Sequence, residues 1–411
     1  MSPVFGSVAI QASSSAAVVA AALLVASQLG LAAQGEFGLL RSWGDALATI
    51  AVMGLPQGLL HLAYREAVPV GALRRWVGRY VLVLLILCAM LSACIAVWGN
   101  RAGLPLPVAT AAIVAMSVPF AAAHALWRSL LLRHVGPIQY AFITAMPAWL
   151  ALIGLLPVCY LGAQGAIAWP LLWAAVGAAT VSGSFVRRAA LAQPAADPAR
   201  VGWSRRTLYR VSIETGLQNV LVALSPALVL SGAAWAGASL AQIGAISLGL
   251  HVYQLFGIAA AYLAPMFYDR VARAETGLTN QQLWRRFSNH VSWSSALGMA
   301  AGSAAGLFAV RLLWPEDANS WTLLVLMALA GILSMVARLL ITLMLARGVF
   351  RPLTLQAMAR LTLFVGGTLA LMQTWAATLA VPLALAFTEV LMLGWLLLLA
   401  HKTDPATGGH C

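Results

Sequence analysis

Polar residues cut an otherwise continuous hydrophobic chain into a dozen long runs. Apolar stretches cover 8–29, 37–63, 77–98, 107–131, 138–161, 167–186, 210–232, 242–267, 289–313, 320–346, 353–374 and 378–400. Each reaches the ~20 residues that a helix needs to cross a bilayer. None alternates with a period of two, which excludes a β-barrel. The pattern predicts an all-α integral membrane protein with 12 transmembrane helices.

The charges between the runs predict orientation. Of the 24 basic residues, 19 fall in or at the edges of even-numbered linkers or after the last run, and only Arg101 and Arg311 fall in or at the edges of odd-numbered ones. Basic loops stay in the cytoplasm, so both termini are expected there. The outward linkers are short. The longest linker joins the sixth and seventh runs and is rich in Ala, Pro and Arg, with little to bury. It predicts an N-terminal six-helix lobe over 1–190, a cytoplasmic linker over 191–208, a C-terminal lobe over 209–402 and a tail over 403–411.

Composition agrees. The chain of 411 residues is 62% hydrophobic and 9% charged, against about 25% charge in a soluble protein. The net charge of +13 would suggest nucleic acid in a soluble chain; here loop topology accounts for it. Lys402 is the one lysine among the basic residues. Cys88, Cys94, Cys159 and Cys411 show no paired spacing, so no metal, cofactor or disulfide framework is expected. Residues 1–29 lack a basic leader, so the first run reads as a retained helix.

The two halves carry faint internal similarity. Residues 36–48 align with 242–254, placing Gly38 on Gly244 and Asp45 on His251; 124–133 align with 338–347, placing His124 on Arg338 and Arg133 on Arg347. Parallel six-helix repeats about an axis along the membrane normal would produce this, with a substrate site between them.

Specific segments also resemble a family. In 35–66, Gly35, Phe37, Gly38, Gly54, Leu55, Pro56, Gln57 and Arg65 are similar to the second span of the polysaccharide-repeat (Wzx-type) flippases, members of the multidrug/oligosaccharidyl-lipid/polysaccharide exporter superfamily. Residues 243–273 resemble the eighth span of that family and 346–352 the turn after its tenth. The resemblance implies a MATE/flippase-like architecture, two parallel six-helix lobes forming a V around a central cavity. It implies a flippase that moves an undecaprenyl-diphosphate-linked oligosaccharide repeat from the inner to the outer leaflet for O-antigen, capsule or exopolysaccharide synthesis. A polysaccharide polymerase and assembly proteins would be its partners.

Charged and polar groups inside the runs supply the candidate site, because such groups in hydrocarbon usually face a wet interior or one another. Arg41 and Asp45 are four apart and share a helix face. Arg41 reads as a snorkelling cation, a cavity wall meeting the lipid diphosphate, or half of a structural pair. Glu214, Gln218 and Ser225 form a stripe with Thr215 and Asn219 alongside, suited to interhelical bonds, a sugar-facing wall or a protonatable site at Glu214. Ser247, His251, Gln254 and Tyr262 line up in the eighth run, where His251 is either a proton-coupling group or a hydrogen-bonded core histidine. Arg338 lies too deep to snorkel easily, and Glu389 is the first choice as its partner; Arg360 follows Gln356 by one turn. The expected cargo contacts are Arg41, Arg338 and Arg360 for the diphosphate and Gln218, Asn219, Ser247 and Gln254 for sugar hydroxyls. Asp45, Glu214 and His251 complete the candidate set.

Two other classes compete. A cation-coupled drug antiporter would need acidic residues to dominate the interior, yet Asp45, Glu214 and Glu389 are balanced by three arginines. A membrane polymerase or ligase would need catalytic groups in an external loop, and the outward linkers hold little beyond Glu36, Arg101, Arg311, Glu316 and Asp317. No phosphate-cradling glycine loop with a following lysine occurs, which argues against ATP-driven transport. The chain reads as a transporter and not an enzyme.

Overall fold

The computed structural model describes residues 3–64, 68–98, 107–132, 134–192, 205–273, 300, 304, 318–346 and 351–402. Helices dominate these residues. They are α1 (Pro3–Leu29), α2 (Leu31–Val52), α3 (Leu55–Tyr64), α4 (Val70–Trp98), α5 (Val108–Leu131), α6 (Pro137–Tyr160), α7 (Trp169–Leu191), α8 (Arg205–Trp235), α9 (Leu240–Arg273), α10 (Ala318–Ala346), α11 (Arg351–Leu371) and α12 (Ala377–Lys402). A single 3₁₀ turn, Gln164–Ala166, precedes α7.

Among the described residues, 9 helical spans are long and apolar enough to cross a membrane. They match the predicted runs except the second, eighth and ninth. The eighth is helical as α9, whose described side chains end at residue 256. The ninth, 289–313, lies outside the described residues apart from 300 and 304. The tail over 403–411 and most of the linker over 191–208 lie outside them too.

The second run differs in kind. The sequence predicts one span over 37–63; the structure breaks it into α2 and α3. The helix stops because Gly54 takes the left-handed conformation (φ 74°), and Met53 before it also has positive φ (29°). A left-handed glycine satisfies and terminates a helix end. Pro56 then falls in the first turn of α3, where its missing N–H is harmless, and Gln57 and Gly58 donate to the Gly54 carbonyl at 3.0 and 3.1 Å. Glycine and proline thus act as a stop and a start. At the other end of α2, the linker from α1 contracts to Gly30 (φ 88°).

The chain forms two compact units, Met1–Ala227 and Leu228–Cys411. The division falls inside α8, beyond the predicted 191–208 linker. In the first unit, α5 is central and packs on α2, α3, α4 and α7, while α1 packs on α2 and α6. Its core has two layers at opposite ends. One joins Val25, Phe37, Val114, Leu155 and Ile167. The other joins Leu59, Leu73, Leu126, Leu130, Val186 and Leu208. In the second unit α10 packs on α9 and α12, and α12 also packs on α9 and α11. Every residue of α9 from 243 to 253 is buried, as expected for a helix apolar on all sides.

Candidate functional site

Among the described residues a dense polar cluster lies within the second unit, and four helices each contribute to it. Tyr253 comes from α9, Ser334 from α10, Arg360 from α11 and Glu389 from α12. Arg360 donates to Glu389 Oε1 from Nη2 at 2.6 Å and from Nε at 3.1 Å. Its Nη2 also donates to Tyr253 Oη at 2.8 Å. Tyr253 Oη lies 2.8 Å from Glu389 Oε1 and 2.9 Å from Ser334 Oγ.

A phenol has one proton, and the charged oxygen is the stronger acceptor. Tyr253 therefore donates to Glu389 and accepts from Arg360 and from the Ser334 hydroxyl. Glu389 is 1% exposed. A buried ion pair of this kind holds only where the remaining polar atoms find partners, and the phenol and hydroxyl supply them. Arg338 lies within electrostatic reach of Tyr253 and belongs to the same neighbourhood.

Arg360 is thus a partner of Glu389, a role the sequence reading gave to Arg338. One helical turn separates Ser334 from Arg338, and another separates buried Gln356 from Arg360. These spacings place the polar groups on shared helix faces. Tyr253 and Ser334 were not picked out by sequence. A tyrosine two residues after His251 and a serine one turn before Arg338 were the available signals.

The other predicted residues of this unit divide. Ser247 and His251 are buried, and His251 Nδ1 lies 2.7 Å from the Ser247 carbonyl of its own helix. The ring N–H is assigned to Nδ1, because a carbonyl can only accept. Gln254 is exposed, so the predicted stripe does not present one surface. Tyr262 lies among side chains outside the described residues.

In the first unit, Arg41 Nε and Asp45 Oδ2 are 3.8 Å apart, with side chains 23% and 73% exposed. That is a loose contact, longer than a hydrogen bond. Asp45 is the acidic partner beside Arg41 among the described residues. Gln218 is half-buried and Asn219 exposed on α8; the Glu214 and Thr215 side chains lie outside the described residues. Ser225 is buried and donates to Leu221 O at 3.0 Å within its helix.

The break between α2 and α3 is built against α8. A Cβ on Gly54 would run into the Ser212 carbonyl and lie 2.7 Å from Gly216 Cα, and a Cβ on Gly216 would run into the Met53 carbonyl group. Backbone meets backbone there, and only glycine fits on either side. Tyr80 of α4 donates its hydroxyl to the Ala51 carbonyl, satisfying one of the acceptors that a helix end leaves over. An unwound segment inside a spanning run is found where it is buried in protein or lines a cavity, so this junction is the first unit's most site-like backbone feature.

No family model and no curated protein sequence matches the chain. Solved structures do. The chain is similar to an inward-facing multidrug resistance MATE family transporter of the MOP superfamily, with a TM-score of 0.68 at 12% identity, over 97% of this chain and 98% of that one. It is similar to the lipid II flippase MurJ in an inward closed conformation, with a TM-score of 0.59 at 13% identity, over 94% and 86%. A MOP superfamily transporter from Pyrococcus furiosus, described as having a binding pocket of reversed polarity, gives a TM-score of 0.54 at 12% identity, over 97% and 94%. The chain is an all-α, multi-pass membrane protein with the MATE-like transporter fold.

Proposed function

We propose that the protein is a flippase of lipid-linked oligosaccharide, carrying an undecaprenyl-diphosphate-linked repeat from the inner to the outer leaflet of a bacterial inner membrane. The observation that carries this reading is the pairing of acids. Two of the carboxylates described inside the helices have an arginine beside them, Asp45 beside Arg41 and Glu389 bonded to Arg360, while a third, Glu36 in the second turn of α2, has Thr110 beside it. A pathway for cations would keep a carboxylate available at the depth of Asp45 or Glu389, whereas Glu36 lies near the start of α2. Here the Arg41 guanidinium is held by one loose contact, and guanidinium is suited to phosphate oxygens.

Arg41 is the proposed first contact of the diphosphate, with Arg338 the candidate in the second unit. The Arg360 N–H groups are turned to Glu389 and Tyr253, so Arg360 serves this reading by neutralising Glu389 and holding α11 to α12. Gln218, Asn219 and Gln254, all at least partly exposed, remain candidates for sugar hydroxyls. MurJ, a lipid II flippase with the same fold, supports a lipid-linked cargo.

A drug or small-molecule antiporter is the second reading, favoured by the fit over nearly the full length of a multidrug MATE transporter. Reconstitution into vesicles decides between them. Flipping is measured by the accessibility of a fluorescent lipid-linked oligosaccharide to an external reagent. Transfer dependent on the protein supports the flippase; none, with cation-coupled drug uptake instead, supports the antiporter.

A further inference from the structure

A second polar feature lies wholly in the first unit, at one end of its bundle. The N-terminal turns of α4 and the C-terminal halves of α5 and α7 flank an open cavity of about 490 Å³. Arg74 and Arg75 line it from α4, Trp127 from α5 and Arg187 from α7. No carboxylate is among its lining residues. Thr180 and Ser184 also line it, but their hydroxyls donate to the Val176 and Val181 carbonyls of their own helix at 2.8 and 2.7 Å. The donors left for a ligand are therefore nitrogens.

Two of those nitrogens are strained for partners. Arg74 Nε and Trp127 Nε1 are buried and have no acceptor among the described residues. A buried N–H without an acceptor costs about 1–3 kcal/mol. A small side-chain movement that brings either N–H to a ligand oxygen would remove that cost, while Arg75 and Arg187, both exposed, supply countercharge. Such a site selects an anion rich in acceptors, and a phosphate fits it.

The flank of α4 shows what the phosphate is attached to. From Arg75 and Gly78 the same stripe continues through Leu82, Ile86 and Met90, which are 57%, 55% and 61% exposed. From Gly78 to Val97 of α4 only Cys88 is buried. Arg75 to Met90 covers about 22 Å of rise, more than the ~15 Å of hydrocarbon in one leaflet. A cationic pocket thus opens onto an apolar track that reaches the bilayer midplane. Arg187 lies one turn from the end of α7, and Trp127 one turn from the end of α5, the depth at which headgroups sit and tryptophan is enriched.

We propose that this pocket binds the phosphate headgroup of an anionic membrane phospholipid, whose acyl chains lie along the Leu82, Ile86 and Met90 stripe of α4. The site is separate from Arg41 and Arg338 and stands independently of the cargo assigned above.

The test uses purified full-length protein, delipidated in detergent, with phosphatidylglycerol, phosphatidylcholine or inorganic phosphate, read by native mass spectrometry. Phosphatidylglycerol is expected to be retained more strongly than phosphatidylcholine, and inorganic phosphate is expected not to displace it. Arg75→Ala combined with Arg187→Ala should weaken retention about thirtyfold, two basic contacts being lost. Gly78→Leu keeps every charge and every loop arginine. Nothing lies within 4 Å of a Cβ there, so it should fold normally, narrow the pocket mouth and weaken retention too. Equal retention of the two phospholipids, unchanged retention in Gly78→Leu, or displacement by inorganic phosphate or by an equal amount of polyprenyl diphosphate would overturn the assignment.

Discussion

Arg360 and Glu389, one on α11 and one on α12, share a 2.6 Å ion pair within the second unit, and the Tyr253 phenol of α9 closes the cluster from the other side. The geometry makes the pair a strut between helices. Glu389→Ala leaves a buried guanidinium without countercharge, and the loss of stability is expected to be about 3–5 kcal/mol. Replacing both partners, as Arg360→Met with Glu389→Leu, is expected to restore most of it, since neither charge then remains unpaired. Thermal unfolding in detergent measures both. A double variant as unstable as Glu389→Ala would refute the strut.

The contact between Gly54 and Gly216 gives a second expectation. Either glycine changed to alanine forces α8 away from the α2–α3 junction, and overpacking of this kind costs about 1–3 kcal/mol. Gly54→Ala adds the strain of a side chain at φ 74°, so it should be the worse of the two. Gly71→Ala, where a Cβ meets nothing within 4 Å, is the control expected to behave as wild type. Melting temperatures of the three proteins check the order.

Arg41 separates charge from packing. If Arg41 meets a diphosphate, Arg41→Lys retains part of the activity and Arg41→Gln loses most of it, about tenfold or more, because a bonded charge is removed. If Arg41 merely snorkels, both retain full activity. Flipping in vesicles, normalised to inserted protein, distinguishes the outcomes, and full activity in Arg41→Gln removes Arg41 from the proposed cargo site.

Orientation is open to a direct measurement. Gln164 precedes α7 and Ala192 follows it, and both are exposed. With the native cysteines replaced by alanine, Gln164→Cys is expected to react with an impermeant maleimide from outside intact cells. Ala192→Cys should react only after permeabilisation, because the arginines around it mark the cytoplasmic side. The reverse pattern would invert the proposed topology.

What the sequence settled by itself was the solvent and the elements. Runs of ~20 apolar residues can only be helices in a bilayer, since backbone polar groups must be satisfied within the segment, and nine such spans stand where hydropathy placed them. It also held the stop-and-start signal of Gly54 and Pro56, although a continuous apolar run concealed the break. Tertiary structure alone decided the partners. Hydropathy and helical spacing state which face a charge occupies, not which helix lies opposite, so Glu389 could not be matched to Arg360 from sequence. Nor could Ser212 and Gly216 be seen beneath Gly54. Arg74, Trp127 and Arg187 are far apart in the chain, and only the packing of α4, α5 and α7 gathers them around one cavity. Pairing depends on distances between elements far apart in the chain, and those are fixed by how the helices pack.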